Sequence, residues 1–134
     1  MTILKAETLP IRSDQDIVRV RQAVRAWTVE LKFSLVDQTK LVTAASELAR
    51  NTYQYGGHGE VRLESLQEGS RVGVRLTFID QGPGIPDITL ALTDGYTTGN
   101  GLGLGLGGAK RLSNEFAIES KVGEGTKVTI TRWK

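Results

Sequence analysis

Glu47 and Asn51 stand four residues apart, and their types suit chemistry together. The apolar residues around them, Leu41, Ala44, Ala45, Leu48, Thr52 and Tyr55, recur at helical spacing. Measured from Leu41, the apolar stripe centres near ~350°, with Glu47 near ~240° and Asn51 near ~280°. Both therefore line one edge of the stripe, stacked one turn apart, and face a seam with a neighbour. A carboxylate there suits a base, and an amide oxygen beside it suits a ligand for Mg²⁺. The alternative is an ordinary surface pair on a helix, held locally by Arg50 or Gln54.

A second carboxylate follows a strongly apolar segment, in Asp80-Gln81-Gly82-Pro83-Gly84-Ile85-Pro86. The strand places Asp80 at a sheet edge, where it can accept from an exocyclic amine such as that of adenine. The glycines let the backbone turn away and leave room for a flat ligand. The plainer reading is a turn built from Asp, Gly and Pro. Of the 16 glycines, nine fall between Gly82 and Gly108. The run Gly99–Gly108, GNGLGLGLGG, resembles a phosphate-cradling loop leading into a helix N-terminus. No GK[ST] follows, so it is not a Walker loop, and no parallel βαβ unit surrounds it. Lys110 and Arg111 come next, either to supplement phosphate charge or to favour a helix C-terminus.

Composition narrows the chemistry. The chain has 134 residues, enough for one domain. It has no cysteine, which excludes disulfides, a thiol nucleophile and a thiolate metal site. Its one histidine, His58, sits in Gly-Gly-His-Gly and reads as a solvated turn residue. Seventeen basic against 15 acidic residues give a net charge of +2, too small to imply nucleic-acid binding. No stretch approaches the ~20 apolar residues of a membrane span, and the start lacks a signal pattern. A soluble cytoplasmic protein is expected.

The elements that must position these residues follow from periodicity. Ile3 to Ile11 reads as an edge strand. Ser13 or Asp14 caps a helix with Ile17, Val20, Val24, Trp27 and Leu31 inward, ending near Phe33. A second helix runs from Asp37 or Gln38 to about Tyr55, stopped by Gly56 and Gly57. Glu60–Leu66 and Arg71–Ile79 alternate about Glu68-Gly69-Ser70 and predict an antiparallel hairpin. Asp80–Gly101 is a long irregular stretch of the kind that is usually functional. A short helix over Leu102–Leu112 and two strands, Glu115–Lys121 and Thr126–Trp133, complete the order. The prediction is an α+β sandwich, with helices on one face of a mostly antiparallel sheet. Trp27 and Trp133 are expected in the core or at its edge.

Together these segments resemble the GHKL ATPase family and its Bergerat nucleotide-binding fold. Glu47-Leu48-Ala49-Arg50-Asn51 resembles the N box, and Asp80-Gln81-Gly82-Pro83-Gly84-Ile85 the first glycine box. Gly99-Asn100-Gly101-Leu102-Gly103-Leu104-Gly105-Leu106 resembles the second glycine box. Gly125-Thr126 resembles the terminal GT box. SELARNTYQYGG, DQGPGIPD and GAKRLSNEF are most similar to stand-alone switch kinases of the RsbT type. Anti-sigma-factor kinases of the RsbW and SpoIIAB type are the related alternative. Gly107-Gly108-Ala109 departs from their usual pattern. No dimerisation helix with a phosphoacceptor histidine is recognisable, so a complete sensor histidine kinase is not expected. Nor is there room for a transducer domain.

The resemblance implies a two-layer sandwich over residues 1–134, with a mixed, mostly antiparallel sheet and an ATP lid at about 87–100. It implies ATP and Mg²⁺ as ligands, with Asn51 on the metal and Glu47 as the base that orients a substrate hydroxyl. Asp80 would accept from the adenine amine, with Thr126 supporting the base through water. Gly82 and Gly84 would shape the base pocket. Gly101, Gly103 and Gly105 would donate backbone N–H groups to the phosphates. Ile85, Thr98, Gly99, Leu102 and Lys110 complete the set, with Lys110 or Arg111 as the cation at the γ-phosphate. The implied reaction is protein serine/threonine phosphorylation in a partner-switching stress pathway. Its partners would be STAS-domain antagonist or scaffold proteins (RsbS/RsbR type) and a PP2C-type phosphatase (RsbU type), with no nucleic acid and no membrane. A non-catalytic, nucleotide-dependent binding module is the competing class.

Overall fold

The computed structural model describes residues 1–85 and 105–134. Strands β1 (Thr2–Ile11), β2 (Gly59–Glu68), β3 (Arg71–Asp80), β4 (Glu115–Lys121) and β5 (Gly125–Trp133) form one five-stranded sheet in the order β1-β2-β3-β5-β4. Every pairing is antiparallel, so among the described residues the sheet is not mixed. Tight turns explain two of these pairings. Gly69 at φ 62° closes the β2–β3 hairpin, and Gly123 at φ 83° lies in the β4–β5 turn. Strand β1 is the sheet edge expected from sequence.

Helices α1 (Asp14–Glu30) and α2 (Leu35–Gln54) and the short α3 (Gly105–Arg111) complete the described elements. Ser13 caps α1 by accepting from the Asp16 N–H. Helix α1 stops before Phe33 because Lys32 turns into the left-handed region at φ 62°. Phe33 then tucks into the core, its N–H on the Thr28 carbonyl at 2.9 Å. Helix α2 starts at Leu35 rather than at Asp37 or Gln38, because Ser34 is the cap and accepts from the Asp37 N–H at 3.1 Å. Leu35 and Val36 are exposed, so no apolar stripe betrays that first turn. Residues 102–104 of the predicted third helix lie outside the described residues.

Ile17, Val20, Val24 and Trp27 of α1 and Leu41, Ala45 and Leu48 of α2 pack on Leu63, Val74, Leu76, Phe78 and Ile130 of the sheet. Truncating one such Leu to Ala would cost about 2–5 kcal/mol. Leu106 and Ala109 of α3 join the same core. Gly107 and Gly108 are buried too. Arg132 of β5 ties α2 to the residue that follows α3. Its Nη2 donates to Asp37 at 2.7 Å and its Nη1 to the Leu112 carbonyl at 3.1 Å. The Arg132 guanidinium holds the Asp37 carboxyl below its usual range.

The pleat sends Glu64 to the opposite face of the sheet from Leu63. There it is buried between Arg75 at 2.9 Å and Arg62 at 3.4 Å, and the Arg75 hydrogen bond holds its carboxyl low. The Trp133 ring covers Gly73 and receives the Arg71 guanidinium at 4.2 Å. Trp27 is buried beneath the Lys5 ammonium, 4.5 Å from its ring. Among the described residues no helix is long and apolar enough to cross a membrane.

Candidate nucleotide site

Helix α2 presents Glu47 and Asn51 on the edge that its periodicity predicts. Glu47 is 4% exposed and Asn51 half-buried. The local contact foreseen as the plainer alternative is present as well: Arg50 Nη1 donates to Glu47 Oε1 at 3.2 Å. The two readings are compatible, since one carboxylate oxygen remains for another donor.

The C-terminal end of α2 delivers the chain to Asp80. Tyr55 and Gly56 both donate to the Asn51 carbonyl, which closes the helix. Gly56 then lies directly against the Asp80 side chain. A Cβ at Gly56 would stand 2.7 Å from Asp80 Oδ2 and closer still to its Cγ. A Cβ at Gly82 would stand 2.6 Å from the Gly56 Cα. Two glycines, one from each segment, thus make the space in which the carboxylate sits.

Asp80 ends β3 opposite Thr126 of β5. Its Oδ1 accepts from the Gly82 N–H at 2.9 Å. Burial pushes the Asp80 carboxyl above its ordinary range, and the backbone N–H groups of Gly82 and Thr126 oppose that push. The group is therefore a strong, partly desolvated acceptor.

The loop beyond Asp80 is anchored on the β4–β5 turn. The Ile85 N–H donates to Ser120 Oγ at 2.8 Å, and the Gly123 N–H donates to the Pro83 carbonyl at 2.8 Å. Ser120 Oγ also shares a hydrogen bond with Thr126 Oγ1 at 2.8 Å. Gly84 adopts φ 79° with the Lys121 carbonyl where its Cβ would be, and Gly125 adopts φ 103° against the Asp80 carbonyl. An open depression of about 580 Å³ borders this rim, lined in part by Asp80, Gln81, Ser120, Gly125 and Thr126.

The structure thus gathers Asp80, Gly82, Gly84, Ile85 and Thr126 at one end of the sheet, with the end of α2 against them. Gly105 opens α3, while Lys110 and Arg111 lie exposed in its last turn, at the other end of that helix. Thr98, Gly99, Gly101, Leu102 and Gly103, and the lid expected at 87–100, lie outside the described residues. Sequence reasoning missed two members of the site. Gly56 showed only as a helix stop, and Ser120 carried no signal short of knowing which strands pair.

The donor set fits magnesium bound mainly by a polyphosphate. Among the described residues no three His, Cys, Asp or Glu side chains cluster as a metal site. The Asn51 amide has no side-chain partner among them and offers one hard oxygen. Mg²⁺ favours this mode, keeping water and phosphate oxygens for its other positions.

Helices on one face of an antiparallel sheet, a strand-end carboxylate among glycines and a carboxylate–amide pair on the adjoining helix define a nucleotide-binding ATPase domain. Residues 36–134 match the family described as histidine kinase-, DNA gyrase B- and HSP90-like ATPase, and the chain belongs to that family. Within it, the chain is similar to the serine/threonine-protein kinase RsbT of Bacillus subtilis (strain 168). The two are 46% identical over 123 residues, 92% of each chain. The anti-sigma F factor of Geobacillus kaustophilus (strain HTA426) is 30% identical over 119 residues, 84% of this chain and 80% of that one. The crystal structure of the RsbU and RsbW domains of Rv1364c from Mycobacterium tuberculosis shares the fold. Its TM-score is 0.66 at 23% identity, over 100% of this chain and 33% of that one.

Proposed function

We propose that this chain, as one domain over residues 1–134, is a cytoplasmic, Mg-ATP-dependent protein serine/threonine kinase of a partner-switching pathway. The observation that carries the reading is the buried Glu47 carboxylate, one helical turn from Asn51 on the helix whose end packs on Asp80. The similarity to RsbT supports the same reaction class. Its substrate would be a STAS-domain antagonist of the RsbS/RsbR type. Once released from it, the kinase would bind and activate a PP2C-type phosphatase of the RsbU type.

Each residue has a task. Asp80 accepts from the adenine amine while its other oxygen holds the Gly82 N–H. Thr126 supports the base, and Gly82 and Gly84 keep its pocket open. Asn51 would hold Mg²⁺, which neutralises phosphate charge and aligns the triphosphate. Glu47 orients the substrate hydroxyl and takes its proton. The hydroxyl oxygen bonds to the γ-phosphorus, the bond from that phosphorus to the β–γ bridging oxygen breaks, and ADP leaves. Gly101, Gly103 and Gly105 of the second glycine box would donate backbone N–H groups to the phosphates, and residues 87–100 would be the ATP lid.

The test is transfer from γ-labelled ATP to a purified STAS-domain protein with magnesium, using wild type, Glu47→Ala and Asp80→Asn. Transfer by wild type, lost in both variants, is expected. Nucleotide binding without transfer to any STAS-domain protein would overturn the kinase reading and leave a nucleotide-dependent binding module. The 30% identity to an anti-sigma F factor supports one second reading, an anti-sigma-factor kinase. Capture of a sigma factor by the ATP-loaded protein would favour it.

A further inference from the structure

Glu47 poses an electrostatic problem for the site just proposed. The base must stand beside the γ-phosphate, yet both are anions, and Glu47 is only 4% exposed. Like charges repel strongly where water is excluded. The sequence offered Lys110 or Arg111 as the compensating cation, but both lie in the last turn of α3. Arg132 is engaged by Asp37 and the Leu112 carbonyl. Arg50 lies on α2 itself, three residues from Glu47 and adjacent in sequence to Asn51. Its Nη1 is 3.2 Å from Glu47 Oε1, and its side chain is 31% exposed against 5% for Glu47. The guanidinium therefore has one donor on the buried carboxylate, and as a five-donor group on a less buried side chain it has others to offer.

We propose that Arg50 is the charge-matching residue of the nucleotide site, neutralising Glu47 so that a triphosphate can lie next to it. This inference rests on the kinase reading in placing the γ-phosphate beside Glu47. It makes Arg50 a determinant of preference for ATP over ADP, because only ATP carries the phosphate that meets the carboxylate. An ordinary i,i+3 surface pair would alter neither preference.

The test is calorimetric binding of MgATP and MgADP to wild type, Arg50→Ala, Arg50→Lys, Glu47→Gln and the double variant Glu47→Gln/Arg50→Ala. Arg50→Ala should weaken ATP about tenfold and ADP less than about twofold, in keeping with the loss of one nearby opposite charge. Arg50→Lys keeps the charge and should retain most of the ATP affinity. In the Glu47→Gln background, removing Arg50 should change ATP binding by less than about threefold, since no buried anion remains to be matched. Equal losses for ATP and ADP, or a loss that persists in that background, would overturn the proposal. The readout is independent of phosphate transfer. A wild type that binds ATP but phosphorylates nothing sinks the kinase reading and leaves the ATP-to-ADP ratios to decide on Arg50.

Discussion

Asp80 pits stability against binding at the scale of one side chain. Burial raises its carboxyl above the ordinary value, so the folded protein binds that proton more tightly than the unfolded chain does. For such a group stability falls as pH rises from the unfolded value through the folded one. Asp80→Asn should therefore raise the melting temperature at pH 7 while abolishing adenine-nucleotide binding. Its stabilising effect should shrink as pH falls below the usual carboxylate range. Thermal unfolding of both proteins between pH 3 and 7 checks the sign. Glu47→Gln should leave ATP bound and reduce transfer by about 10²–10⁴-fold, the usual contribution of a positioned base, read in a single-turnover assay. These two carboxylates were legible in the sequence for a simple reason. An acid on the edge of an apolar stripe, or at the end of an apolar strand, breaks a pattern that is itself visible. Ser120 breaks no pattern. Its hydroxyl matters because the β4–β5 pairing brings Thr126 to it and the loop beyond β3 brings Ile85, and pairing is not written in local spacing.

Between elements, contact surfaces set the site. Gly56 fills no space of its own, yet it is where the end of α2 meets the end of β3. Gly56→Ala should displace the Asp80 carboxylate and weaken ATP by at least about tenfold without unfolding the protein, since the displaced group is one side chain. Calorimetry together with circular dichroism would separate those effects. The Arg132–Asp37 pair should behave in the opposite way, holding elements together without touching nucleotide. Its side chains are 14% and 28% exposed, so Arg132→Met should cost about 3 kcal/mol. Asp37 has its carboxyl lowered by that guanidinium, so its stabilisation is present above the ordinary carboxylate range and lost in acid. The gap in melting temperature between wild type and Asp37→Asn should thus close as pH drops. The element boundaries were legible where apolar periodicity reached them. They were missed at Leu35 and Phe33, where a cap and a left-handed Lys32 end or begin a helix regardless of the stripe.

At the scale of the molecule, one core joins α1, α2, α3 and the sheet. Unfolding should therefore be a single cooperative step, with Trp27 fluorescence and far-ultraviolet dichroism giving coincident denaturant curves. The layer arrangement was legible because helix and strand periods differ, and alternation in β2 and β3 announced a hairpin. The sheet order was not, because β5 enters between β3 and β4 rather than beside its own sequence neighbours alone. That insertion has a consequence in time. Two of the four strand pairings join residues far apart along the chain, with β1 meeting β2 across two helices and β3 waiting for β5. Slow closure of distant pairs is the cost of such a topology. On the ribosome, β3 would keep an unfilled edge and β4 no partner until β5 emerged. Asp80 would then lack the strand that carries Thr126, so the nucleotide binding proposed for this pair would await a chain whose β5 had been made.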